Sequence, residues 1–241
     1  MPSSKSEKKP SLQCAEVAWG DGGKLLSPFY EDGYFSRSGA IPESRYVFLQ
    51  QNRLPHAWLH KKAFHICETG FGTGLNFLLT FDLWRRFSHP QAQLFYTSIE
   101  KHPIPLPFLK KIHEAWPELK TLSEILLSSY PPSSKKGEIR LSFPEFRIQL
   151  TLLFDEVAAL ERYLEYDVDA WFLDGFSPAV NPEMWQDPLF SLMGKKSSPN
   201  GSFATFTAAG LVKRGLEKEG FLVEKCRGFS GKREMLRGNR P

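Results

Sequence analysis

From Ala63 onward the chain alternates short apolar runs, rich in β-branched and aromatic residues, with stretches of helical periodicity, and no other feature limits its fold so strongly. Residues 63–67 read as a buried strand and 74–87 as a helix with Leu75, Leu78, Leu79 and Leu83 on one face. A second strand is expected at 94–99, with helices at 104–116 and 119–130. After a Pro- and Ser-rich loop at 131–137, residues 139–143 and 146–154 flank Pro144-Glu145 as a hairpin. The pattern continues with a short helix at 156–164, a strand at 170–173, a helix at 183–193, a strand at 202–206 and a helix at 208–219. Strands at 221–227 and 233–236 close the chain. Such alternation predicts a mostly parallel sheet covered on both faces, an α/β sandwich of the doubly wound type. The final strand pair has too short a connection to be anything but antiparallel.

Ahead of the alternation, residues 1 to about 11 are polar and read as a disordered leader. Residues 12–60 carry Gly, Pro and aromatics in short pieces. They are expected to form an extension of hairpins and loops, with one short helix at 43–50, packed on a main domain of residues 61–241. With 41% hydrophobic residues, 20 Phe and 6 Trp, the chain can fill a sizeable core. No apolar run reaches the ~18 residues that a membrane span needs. The 3 cysteines, Cys14, Cys67 and Cys226, are widely spaced, which disfavours a disulfide framework or a zinc site and suits a cytoplasmic protein with reduced thiols. A net charge of +4 permits a polyanionic partner without requiring one.

In doubly wound sheets, ligands bind beyond the carboxyl ends of the strands, near the point where strand order reverses. After the first strand comes Glu68-Thr-Gly-Phe-Gly-Thr-Gly-Leu-Asn76, in which Gly70, Gly72 and Gly74 alternate with side chains and the third opens a helix. Glycine lets backbone approach a ligand closely, and a helix N-terminus offers free N–H groups. The dinucleotide fingerprint does not fit, because Leu75 and Phe77 stand where its last small residue belongs. Glu100 ends the second strand, where an acid can accept both hydroxyls of a ribose. Asp155 follows a third apolar strand and suits either the adenine amino group or the cap of the next helix. Asp174 leaves the very apolar run Ala170-Trp-Phe-Leu173 and enters a loop with Phe176, Pro178 and Pro182, a poorly solvated position for a carboxylate. The ring of Phe176 suits a slot for a planar substrate.

The blocks Glu68–Phe77, Trp171-Phe-Leu-Asp-Gly-Phe-Ser-Pro178, Asn181-Pro-Glu-Met-Trp185, 204–216 and 228–236 closely resemble the MnmC-type tRNA methyltransferases, as do 27–36 and 43–49 upstream. The resemblance covers nearly all of the chain after the leader. It implies a Rossmann-like S-adenosylmethionine-dependent methyltransferase sheet, with Glu68, Gly70, Gly72, Gly74, Asn76, Glu100 and Asp155 toward the cofactor. An acid just before the glycines is usual in such enzymes. The reaction implied is methylation of the 5-aminomethyl group of (2-thio)uridine at the wobble position of tRNA, giving the 5-methylaminomethyl nucleoside. Many members continue into a flavin-dependent oxidase domain that generates the amine. No such domain is expected in this chain, which resembles either the stand-alone methyltransferase form or an excised first domain, so the amine would come from another enzyme or another route. The sequence departs from the family at Gly231, where Arg is usual, and at Phe154, where Gly is usual before Asp155.

The nucleophile would be an alkylamine whose conjugate acid, by analogy with lysine, titrates near ~10.4. It must lose a proton before it can attack, and Asp174 is the candidate base. A sulfonium carries its own leaving group, so no metal is needed. An anticodon-loop base can be splayed out and gripped by aromatics, for which Tyr34, Tyr46, Phe176 and Trp185 are candidates. Arg37, Arg45, Lys213, Arg214, Lys232 and Arg233 are candidates for phosphate contacts. Two other readings stay open: a methyltransferase or aminopropyltransferase acting on a free small amine, and a non-catalytic RNA-binding module on the same fold.

Overall fold

The computed structural model describes residues 12–20, 24–35, 39–131 and 136–241. The expected leader, Arg37 and most of the 131–137 loop lie outside the described residues. Three short strands open the chain as a small antiparallel sheet: β1 (Ala18–Trp19), β2 (Leu25–Ser27) and β3 (Asp32–Gly33). Helix α1 (Ala40–Ser44) runs directly into a π-helical stretch, Arg45–Gln50. The main sheet is built from β4 (Ala63–Thr69), β5 (Gln93–Ile99), β6 (Gly137–Phe143), β7 (Ile148–Phe154), β8 (Val168–Leu173), β9 (Ser197–Thr205), β10 (Leu222–Arg227) and β11 (Glu234–Asn239). Between them lie α2 (Leu75–Phe87), α3 (Leu106–His113), α4 (Lys120–Ser129), α5 (Asp187–Lys196) and α6 (Gly210–Lys218).

The strand order is β10-β11-β9-β8-β4-β5-β7-β6. The pairings from β9 through β8, β4 and β5 to β7 are parallel, and antiparallel pairs stand at both edges. The chain goes from β4 to β5, on to the sheet edge as β6, back as β7 between β5 and β6, and then to the other side of β4 as β8. Strand order therefore reverses between β4 and β8, where Thr69 pairs in register with Leu173. The residues just past that pair, Gly70 and Asp174, are thereby delivered side by side.

The period-2 alternation of the central strands divides the core. On β8, Ala170 and Phe172 join a cluster with Phe77, Phe81 and Trp84 of α2, while Trp171 and Leu173 join Phe190 and Met193 of α5 and Val212 and Leu216 of α6. Val47, Phe48 and Trp58 pack into the first of these clusters, so the N-terminal segment helps to cover one face of the sheet. Among the described residues no helix is long and apolar enough to cross a membrane.

Several expected elements differ in detail: the strand expected at 202–206 begins at Ser197, and the helix expected at 104–116 spans Leu106–His113. The helix expected at 183–193 is divided into a 3-10 turn, Pro182–Trp185, and α5, with an extended residue, Gln186, between them. A continuous helix would need an N–H from Pro188 and would drive its ring into the carbonyl four residues back. Residues 157–162 wind as 3-10 rather than α-helix. The helix expected at 43–50 begins earlier, at Ala40, and its second half is π-wound.

Candidate active site

The turn from β4 to α2 uses backbone conformations that a side chain would resist: φ is +80° at Gly70, +52° at Gly72 and +75° at Gly74. At Gly70 the restriction is doubled, because a Cβ there would lie 3.1 Å from the Cα of Gly175. The glycine loop and the loop after β8 thus touch backbone to backbone. Thr69 adds to the junction by donating its hydroxyl to the Asp174 carbonyl at 2.7 Å. Gly74 does not line the cavity beyond these loops; its place is the helix-opening turn, with the Phe71 ring filling the space of a side chain.

That cavity measures about 570 Å³ and is lined by residues of the glycine loop, β5's end, the 174–184 loop and the N-terminal segment. At one side Glu100 accepts from the Gly72 N–H at 2.9 Å and the His102 N–H at 2.8 Å. Burial raises its carboxyl above the usual range, and these backbone donors oppose that shift. A carboxylate has about four lone-pair directions. The Gly72, His102 and Lys101 backbone N–H groups take up part of that capacity, and Glu100 lines the cavity with the remainder open to a ribose hydroxyl.

At the other side stands a chain of side-chain hydrogen bonds. Asn76, near the start of α2, donates from Nδ2 to Glu68 Oε1 at 2.8 Å and to Asp174 Oδ2 at 2.7 Å. Its Oδ1 accepts from the hydroxyl of Ser44 on α1. Glu68 is fully buried and does not line the cavity; it accepts from Ser98 Oγ at 2.6 Å and bears on the site through Asn76. Burial pushes its carboxyl well above the ordinary range, against the pull of the Ser98 hydrogen bond. Asp174 does line the cavity. Its carboxyl is pushed up to about 7 by burial, opposed by the Gly175 N–H and Asn76. The negative charge of Glu43 adds to the rise and the positive charge of Lys232 subtracts from it. A carboxyl in that range can take or release a proton at neutral pH.

Aromatic rings form another wall. Phe176 stacks on Tyr30 with centroids 4.2 Å apart, and Tyr34 meets Phe176 edge-on at 5.4 Å. Burial, and secondarily Glu100, raise the Tyr34 phenol above its ordinary value, so it stays protonated. Trp185, expected as a wall, is instead buried outside the cavity; its indole N–H donates to the Phe176 carbonyl at 2.9 Å and braces the loop from behind.

Of the residues expected at the site, Tyr34, Gly70, Gly72, Asn76, Glu100, Asp174, Phe176 and Lys232 line this one cavity. Asp155 does not: it accepts from the Glu156 N–H at 2.7 Å and pairs with Lys136 at 2.9 Å. Arg45 lies outside as well, paired with Glu118 at 3.2 Å, and Tyr46 donates its hydroxyl to the Arg227 carbonyl at 2.7 Å. Lys213 pairs with Glu217 along α6 at 2.9 Å, and Arg214 and Arg233 are exposed away from the cavity. At the departures from the family pattern, the Phe154 ring is buried beside Tyr130, and Gly231 sits in an exposed turn at φ +85°. Tyr30, Glu43, Ser44 and Phe206 also line the cavity and were not singled out from the sequence. Tyr30, Glu43 and Ser44 fall inside the blocks 27–36 and 43–49, but no spacing or periodicity separates them from their neighbours. Among the described residues no group of three or more His, Cys, Asp or Glu side chains is arranged to hold a metal ion.

A family model described as S-adenosyl-L-methionine-dependent methyltransferase matches residues 117–241. The chain is 45% identical over 231 residues to the tRNA 5-methylaminomethyl-2-thiouridine biosynthesis bifunctional protein MnmC of Methylobacillus flagellatus, covering 95% of this chain and 35% of that protein. The MnmC protein of Hydrogenovibrio crunogenus is 43% identical over 241 residues, covering 99% of this chain and 36% of the relative. The chain therefore spans about a third of the length of these curated relatives. Among solved structures, MnmC2 from Aquifex aeolicus superposes with a TM-score of 0.72 at 26% identity, over 95% of this chain and 72% of that one. Together with a glycine loop and an acid-ended second strand at the sheet's reversal point, these matches establish that the chain belongs to the S-adenosyl-L-methionine-dependent methyltransferases and is similar to the MnmC proteins over about a third of their length.

Proposed function

We propose that this protein methylates the 5-aminomethyl group of (2-thio)uridine at the wobble position of tRNA, yielding the 5-methylaminomethyl nucleoside. The observation that carries this reading is Asp174, a cavity-lining carboxyl whose pKa of about 7 suits it to accept a proton from an ammonium group. The names of the 42–45% identical relatives supply the tRNA context. The work is assigned to the cytoplasm, where tRNA maturation occurs, with the anticodon loop as partner and the amine supplied by a preceding reaction.

S-adenosylmethionine supplies an electrophilic methyl group on a sulfonium whose thioether departs uncharged. The residues present fit it: Gly70 and Gly72 bring backbone without side chains to the cavity wall, and Glu100 lines the same cavity with capacity left for a ribose hydroxyl. The chain's own task is to position the amine and take its proton. An ordinary Asp, at ~3.9, stands more than six pH units below an alkylammonium of ~10.4. At about 7, Asp174 narrows that gap to roughly three units. Asn76 and the Gly175 N–H hold the carboxylate in one orientation. The proton passes from the ammonium N–H to an Asp174 oxygen, and the nitrogen keeps the electron pair that forms the new C–N bond. Phe176, with Tyr30 stacked behind it and Tyr34 at its edge, offers a face for a splayed-out base.

The test is incubation of the protein with methyl-labelled S-adenosylmethionine and tRNA bearing 5-aminomethyl-2-thiouridine, followed by digestion and nucleoside chromatography. Label is expected in 5-methylaminomethyl-2-thiouridine. Label that enters only free polyamines in a parallel incubation would overturn the tRNA reading in favour of a small-amine enzyme. Absence of calorimetric binding to S-adenosylmethionine would leave only an RNA-binding module.

A further inference from the structure

Lys232 lies in the turn between β10 and β11, yet its side chain reaches the cavity. There its ammonium pairs with Glu43 at 2.9 Å and lies 5.3 Å from the centroid of the Phe206 ring. The pair is asymmetric. The Glu43 side chain is 13% exposed, whereas that of Lys232 is 45% exposed. The acid is a fixed part of the wall, and its counter-ion stands on a long stem with an open route to solvent.

Glu43 is also tied to the reacting end of the site through its neighbour. Ser44 donates to Asn76, and Asn76 donates to Asp174, so α1 is anchored to the carboxylate that serves as base. Glu43 and Asp174 are thereby held on one cavity. An amine methyltransferase has a use for two acids. The ammonium must approach a sulfonium of like charge, which calls for a compensating anion, yet the base loses its charge once it takes the proton. A second carboxylate, one that does not take the proton, resolves the conflict.

We propose that Glu43 is the carboxylate that recognises the substrate's ammonium group and that Lys232 is its placeholder, displaced when the substrate enters; this rests on the amine-methylating reading above. The exchange swaps one cation for another, so no unpaired buried charge is created at any stage. It also sets specificity, because a wobble uridine with a neutral 5-substituent brings no charge to replace Lys232. After displacement the Lys232 ammonium is free to meet a tRNA phosphate, so seating of the amine and grip on the backbone are linked.

The charged and polar groups bearing on Asp174 are Glu68 from β4, Tyr96 from β5, Asn76 from α2, Glu43 from α1, Lys232 from the β10–β11 turn and the Gly175 N–H. Removing a negative neighbour lowers the pKa of the base, and removing a positive one raises it. The test uses the full chain with Glu43→Gln, Glu43→Asp and Lys232→Gln, and tRNA bearing 5-aminomethyl-2-thiouridine as the probe. Glu43→Gln is expected to raise KM for this tRNA on the order of tenfold or more, the scale of one lost charge-assisted hydrogen bond. Its calorimetric affinity for S-adenosylmethionine should be unchanged, and the acid limb of its kcat/KM profile should move to lower pH. Lys232→Gln should move that limb to higher pH. Glu43→Asp should recover the wild-type limb. A KM for Glu43→Gln within about twofold of wild type would overturn the proposal. So would limbs that move the same way in both charge-removing variants, or parallel losses of tRNA and cofactor binding. A wild-type protein inert toward this tRNA would instead overturn the functional reading on which the proposal rests.

Discussion

Glu68 and Asp174 are held by the same nitrogen: Asn76 Nδ2 donates one N–H to each, at 2.8 and 2.7 Å. The two acids share one neutral donor group, and the charge of Asp174 adds to the burial that pushes Glu68 upward. One acid is sealed behind the loop and the other opens on the cavity. Asn76 has no hydrogen-bonding capacity to spare on its amide nitrogen, and Ser44 occupies its oxygen.

Asn76→Asp should therefore be among the most disruptive isosteric changes in the chain. It turns a donor between two buried acids into a third acid. A loss of about 3 kcal/mol, or roughly 6–12 °C in Tm, is expected near pH 7.5 for a domain of this size. Protonation relieves the repulsion, so the deficit should shrink in melts recorded near pH 5. An equal deficit at both pH values would count against a charge-based cause.

Asp174→Asn keeps shape and removes the base. Methyl transfer to the aminomethyl nucleoside should fall on the order of 10²-fold or more, the usual scale for a lost general base. Calorimetric affinity for S-adenosylmethionine should persist, because Glu100 and the glycine loop are untouched. The acid limb near pH 7 should vanish from the rate profile. Turnover close to wild type would remove Asp174 from the mechanism.

The same substitution should stabilise the fold at alkaline pH. The folded-state pKa of Asp174, about 7, lies above its unfolded value, so the folded chain binds the extra proton between the two. The stability linked to this group is fully present below the unfolded pKa and is lost as pH rises through about 7. Asp174→Asn carries no such loss. Its Tm should exceed wild type near pH 8 by about 2–4 °C for each kcal/mol recovered, and should converge with wild type near pH 4. Thermal melts across that range decide it, and a wild type that is the more stable protein at pH 8 would contradict the raised pKa.

Gly70→Ala confronts two obstacles at once. The left-handed conformation costs an L-residue about 1–2 kcal/mol. The added methyl would also lie 3.1 Å from the Gly175 Cα, so the two loops must part. Cofactor affinity should drop together with Tm. A variant with unchanged calorimetric binding would show that the contact between the loops is dispensable.

What the sequence made legible follows from where strands end. Gly70, Glu100 and Asp174 terminate apolar runs, and a doubly wound sheet brings such termini to one edge. The structure gathers them around one cavity. Glu43 and Ser44 were not legible as site residues, since they come from a helical segment outside the sheet. Its placement depends on packing against α2, which no local pattern encodes. Trp185 illustrates the opposite error: an aromatic in the right loop, expected at the cavity, is turned inward because its indole N–H finds a partner in the Phe176 carbonyl. Asp155 ends a strand like the others, yet its carboxylate is taken up by the adjoining backbone and Lys136.

The close packing of Gly70 on Gly175 has a practical corollary for redesign. Anyone retargeting this scaffold to a different acceptor can exchange the aromatic stretch that begins at Phe176. The segment at 174–175 must stay with the donor-side turn, because the two interlock like a key cut for one lock and a transplant of either alone would arrive without its mate.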